Sequence, residues 1–81
     1  SKVEYYLEDD GFVSIIIRDL EGKELIKLID NKFRKLGVNQ EILDVSRFAS
    51  AGYYEAHIIS NPYNRNYSEL SQAVIKFQVI K

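Results

Sequence analysis

The stretch KELIKLIDNKFRKLG, Lys23 to Gly37, decides what kind of domain this chain forms. Leu25, Leu28, Ile29, Phe33 and Leu36 recur at steps of three and four residues, the spacing that gathers side chains on one face of an α-helix. Gly37 stands where a helix commonly ends on a left-handed residue. Taken alone, the segment reads as an amphipathic helix and the domain as a small α+β fold. The rival is a strand over ELIKLID followed by a loop, in which a β-bulge sets Leu25 and Ile29 on different terms with the core.

On both sides of this segment the period is two. Val3, Tyr5 and Leu7 alternate with Glu4, Tyr6 and Glu8, as in a half-buried strand. EDDG (8–11) reads as a turn with Gly11 free to take positive φ, and FVSIIIRD resumes the alternation with Val13, Ile15 and Ile17 on one face. These two strands are expected to form a hairpin. Phe12 and Ile16 on the second face predict that it too is partly covered. DLEGKE (19–24) is a second turn, in which Asp19 bonds the backbone ahead of it and Gly22 suits a left-handed position.

Beyond Gly37, VNQEILDVS (38–46) suits a strand with Ile42 or Leu43, and Val45, inward. YYEAHIIS (53–60) sets Tyr54, Ala56 and Ile58 against Tyr53, Glu55, His57 and Ile59. NPYNRNYSEL (61–70) carries the single proline and reads as a loop. QAVIKFQVIK (72–81) places Ala73, Ile75, Phe77 and Val79 on one face and Lys76 and Gln78 on the other. Five such strands at short spacing point to an all-β sandwich.

Composition narrows the function classes. With 81 residues the chain holds one domain and leaves no room for a substrate domain beside its core. A formal net charge of −1 argues against a nucleic-acid or anionic-lipid footprint. No apolar run is long enough to span a membrane. With no cysteine and a single histidine, His57, thiolate sites, disulfides and multi-histidine metal sites are excluded within one chain. No cofactor or metal is expected.

The order of the pieces resembles a known family, the C-terminal sorting domains of proteins exported by the type IX secretion system of Bacteroidetes. The resemblance rests on three stretches. VEYYLEDDGFVSIIIRDLEGKEL (3–25) is similar to that family's opening strand, glycine turn, second strand and Asp-x-x-Gly-Lys-Glu. LGVNQEILDVSRFASAGYYEAHI (36–58) is similar to its middle, with Leu-Asp-x-Ser and Gly-x-Tyr, and AVIKFQVIK (73–81) to its terminal strand.

The resemblance implies an immunoglobulin-like antiparallel sandwich of six to seven strands, related in fold to the Ig-like module of flagellar hook-capping proteins. It implies a strand and then a loop over 23–37. It further implies that 1–81 is a single non-enzymatic C-terminal domain, excised from a larger secreted protein. Such a domain sends its N-terminal cargo through the periplasm to the cell surface. Its expected partners are the outer-membrane secretion machinery, which would read Phe77, Gln78, Val79, Ile80 and Lys81, and a surface sortase. The alternative is an accessory Ig-like module of a secreted enzyme or adhesin that binds protein or glycan.

Other candidates carry less. Gly52 and Tyr54 read as a bend entering a strand, with the tyrosine ring buried and its hydroxyl on nearby backbone. His57 shares a strand face with Tyr53 and Glu55 and reads as a rim histidine. An Asp44–Ser46–His57 triad lacks a nucleophile elbow. Gly22-Lys23 lacks the rest of a phosphate loop. Asp9 and Asp10 fall short of the six to eight oxygens that calcium takes. Tyr63, Arg65 and Tyr67 have the aromatic and basic mix of a base- or sugar-stacking loop. Asn66-Tyr67-Ser68 fits a glycosylation sequon.

Overall fold

A computed structural model describes residues 2–62 and 70–81. The chain is an all-β, immunoglobulin-like antiparallel sandwich, with six strands among the described residues: β1 (Lys2–Leu7), β2 (Gly11–Arg18), β3 (Glu24–Arg34), β4 (Gly37–Ile42), β5 (Gly52–Pro62) and β6 (Ser71–Val79). A 3-10 turn, Val45–Arg47, lies between β4 and β5. One sheet has the order β3-β2-β5-β6 and the other pairs β1 with β4. These orders correspond to strands C′-C-F-G and B-E of the Ig plan.

Lys23–Gly37 is the segment where local period misleads. It is extended from Glu24 to Arg34, further than a strand over ELIKLID and a loop would reach. The cause of the helix-like spacing is visible in the register with β2. Ile15 pairs with Ile29 but Ile16 with Lys27, so Leu28 is an extra residue. Similar slips occur between Val13 and Ile15 and between Ile17 and Arg18. Each slip is a bulge that resets the two-residue alternation, so Leu28 and Ile29 are both half-buried although adjacent. Asn31 takes φ 52 within one slip, and its N–H donates to Ser14 Oγ at 2.9 Å. Gly37, with φ 105, opens β4 rather than ending a helix.

The expected β1–β2 hairpin does not form. β1 pairs with β4, and β2 pairs with β3 and β5, so EDDG arches from one sheet to the other. Both strands carry a full apolar row, Val3-Tyr5-Leu7 and Val13-Ile15-Ile17, and all six residues are buried. Stacking the rows from opposite sheets closes a core that side-by-side pairing would leave open on one face. Asp10 fastens the arch by accepting the Leu36 N–H at 2.7 Å.

Gly11 does not use positive φ. A glycine is required there because a Cβ would meet the Asn61 carbonyl oxygen at 2.5 Å, across the β2–β5 pair. The strand expected over 38–46 ends at Ile42, which points outward and is 84% exposed, while Glu41 and Leu43 are buried. Val45 is half-buried in the 3-10 turn.

Candidate functional site

Three places carry polar or exposed groups with a defined geometry: the terminal strand, the β5 corner, and a partly buried ion pair between the sheets.

β6 pairs with β5 over nine residues without a register shift, from Gly52↔Val79 to Ser60↔Ser71. Among the described residues it is an edge strand, and no described strand pairs with its other side. Of the five terminal residues, Phe77 is half-buried against Phe48 and Tyr54, and Val79 is fully buried. Gln78, Ile80 and Lys81 are exposed, and the last two lie beyond the strand. The Lys81 ammonium donates to the Phe48 carbonyl and so ties the chain end to the exit of the 3-10 turn. The expected inward row is present, but Ala73 is exposed and Ile75 only half-buried.

Gly52, at φ 143, starts β5, and Tyr54 follows with its ring buried. Its hydroxyl donates to the Ser50 carbonyl at 2.7 Å, the bond of a tyrosine corner at the start of strand F. The ring packs on Phe48 with centroids 4.7 Å apart. The Asp19 turn is also built as a side-chain cap: one carboxylate oxygen accepts the N–H groups of Glu21 and Lys23, both at 2.9 Å, and Gly22 takes φ 91.

The third place was not singled out from the sequence. Glu41 of β4 is buried and accepts from Arg34 of β3 through both oxygens, Nε to Oε2 at 2.8 Å and Nη2 to Oε1 at 3.1 Å. Tyr5 of β1 donates its hydroxyl to Oε2 at 2.6 Å. The Arg34 hydrogen bonds hold the Glu41 carboxyl below its usual range against the opposing effect of burial. Burial first, and the Glu41 bond second, push the Tyr5 phenol well up. The triad joins the two sheets. Its signal in the sequence was phase: of the two options for β4, the one that turns Leu43 inward also turns Glu41 inward.

His57 lies on the outer face of β5, with Nε2 3.0 Å from Glu55 Oε1. Ser46 donates both its N–H and its hydroxyl to Asp44, whose carboxyl these bonds hold below its usual range. His57 and Ser46 thus each have a local carboxylate partner, and neither bonds the other. We expect His57→Ala to change stability by less than about 1 kcal/mol, the scale of an exposed pair, and to leave every activity of a parent protein intact. Loss of turnover in such a parent, with this domain still folded, would overturn that reading.

Among the described residues no cluster of three or more histidine, aspartate or glutamate side chains is placed to hold a metal, and no helix is long and apolar enough to cross a membrane. Tyr63, Arg65, Tyr67 and the sequon at Asn66 lie outside the described residues. Comparison with known proteins finds no matching family model, no matching curated protein and no matching solved structure.

Proposed function

We propose that this domain is a non-catalytic sorting module. It directs a cargo protein across the outer membrane and to the cell surface through its terminal strand. The observation that supports this best is the contrast between the two edges of the larger sheet. β3 is broken by three register slips and carries Glu24, Lys27, Asp30, Lys32 and Arg34, the features with which natural edges resist pairing. β6 is regular along its whole length. An export machine that adds a strand beside β6 would gain main-chain bonds and could read Lys76 and Gln78 on one face. The proposed partners are the outer-membrane secretion machinery and a surface sortase, with periplasmic transit before delivery.

Deleting residues 77–81 is expected to strand a fused cargo in the periplasm. Because the deletion also removes Phe77 and Val79 from the core, Lys81→Ala is the sharper test. It should reduce delivery while moving the melting temperature by only a few degrees, about what losing one partly exposed hydrogen bond costs. Normal surface delivery after the five-residue deletion would sink the export reading and leave an accessory module binding protein or glycan.

A further inference from the structure

The outer face of the larger sheet carries a row of charges that alternate in sign. The register aligns Glu24 of β3 with Arg18 of β2, Arg18 with Glu55 of β5, and Glu55 with Lys76 of β6. Ile17 and Ala56 beside them point into the core, so the row faces outward. Among the described residues its members do not close on one another as ion pairs. Arg18 donates to the Gly22 carbonyl at 3.1 Å, Glu55 Oε1 lies 3.0 Å from His57 Nε2, and Lys76 Nζ stands 5.1 Å from the centroid of the Tyr53 ring.

Two residues further along each strand of the pairing runs a second outward row, in which Ile16 aligns with Lys27 and His57, and His57 with Val74. Ile16 is half-buried and Val74 is 55% exposed; Tyr53, on the other side of the charged row, is 52% exposed. Apolar side chains beside a border of charges are the make-up of a protein interface.

We infer that this face binds a second copy of the chain, about a two-fold axis parallel to the strands and midway between β2 and β5. The charged row selects both the occupant and the axis. An alternating row of four reads with opposite signs from its two ends. Rotation about that axis therefore sets Glu24 of each copy over Lys76 of the other, and Arg18 of each over Glu55 of the other. Sheets packed face to face lie about 10 Å apart, within reach of these long side chains. The other two-fold in the plane of the face, across the strands, sets each charge over its own kind, and repulsion disfavours it. The chosen axis also places Ile16 over His57 and lays the Lys27 stem over Val74. Four strands about 4.8 Å apart and three outward rows give about 400 Å² on each copy. That is half of the roughly 800 Å² per partner of a standard interface, so the dimer is weak and reversible. This inference stands apart from the export reading, which concerns the outer edge of β6 and is tested by delivery of a cargo.

The test is the oligomeric state of the isotope-labelled 81-residue chain, diluted from millimolar to micromolar concentration. Sedimentation equilibrium should show a reversible monomer–dimer equilibrium, and amide NMR should show concentration-dependent shifts at Ile16, Arg18, Glu55, His57, Val74 and Lys76. Glu24→Lys and Lys76→Glu each put two like-charge contacts into the dimer and should each weaken it at least about tenfold. The double variant exchanges the two charges, restores the opposite-sign order, and should return the affinity to within about threefold of that of the unaltered chain. Both side chains are exposed and neither closes an ion pair among the described residues, so the variants keep the fold, which their melting temperatures check. Glu4→Lys makes the same change of net charge on the outer face of the smaller sheet and should leave the dimer unchanged. The inference falls if the chain stays monomeric at millimolar concentration, if either single exchange dimerises like the unaltered chain, if the double variant does not recover, or if the shifts fall on Glu4, Tyr6 and Val38 of the smaller sheet.

Discussion

Tyr54→Ala should destabilise the domain by about 3 kcal/mol or more, the scale for removing a buried aromatic ring. The ring is 7% exposed and packs between Phe48 at 4.7 Å and Phe77 at 6.2 Å. Its loss leaves a void where β5, β6 and the 3-10 turn meet. Tyr54→Phe keeps the ring and removes only the hydroxyl, which donates to the Ser50 carbonyl and lies 3.3 Å from Ser50 Oγ, so it should cost about 1 kcal/mol. The two variants separate packing from corner chemistry. Denaturant midpoints equal to that of the unaltered chain for both would show that Tyr54 does not hold the corner.

Arg34→Ala should cost about 2 kcal/mol. Removing one partner of a fully buried ion pair costs about 3–5 kcal/mol. The Arg34 side chain is 30% exposed, and water screens part of that. In a chain of this size the melting temperature should fall by about 10 °C. The same cluster sets two pH limits. Glu41 titrates lower folded than unfolded, so its contribution is present above its unfolded value, about pH 4.3, and is lost as pH falls through the lower folded value. Tyr5 is shifted the other way. Its contribution is complete below about pH 10 and is lost as pH rises from there toward its raised folded value. Urea midpoints measured from pH 3 to pH 11 should therefore decline at both ends. Glu41→Gln should flatten the acid limb. An acid limb as steep in Glu41→Gln as in the unaltered chain would place the titrating carboxylate elsewhere.

The parts legible in the sequence are those set by local chemistry. Strict alternation over Val3–Leu7, Val13–Ile17 and Tyr54–Ile58 marked the three strands whose inward rows form most of the core, and those rows are buried as read. Asp19 and Gly22 specify their turn within five residues, through side-chain-to-backbone bonds and a positive φ. Gly52 and Tyr54 likewise act on backbone only a few residues away. These features depend on neighbours along the chain, so their residue types are enough to reveal them.

Contacts between distant segments decided the rest. Nothing local distinguishes a hairpin from an arch at EDDG; the choice falls to the arch because β1 and β2 each have an apolar row to bury against the other sheet. β3 has a spacing close to helical because three bulges break its alternation, and bulges exist only relative to a paired strand. Glu41 looks like a surface residue until β4 turns it inward and Arg34 and Tyr5, seven and thirty-six residues away, converge on it. Gly11 is needed for a carbonyl that pairing brings from Asn61. By itself the sequence determined which segments extend and which face of the main strands is apolar, because those follow from side-chain size and period. Which edges meet was decided only when both sheets closed over one shared core.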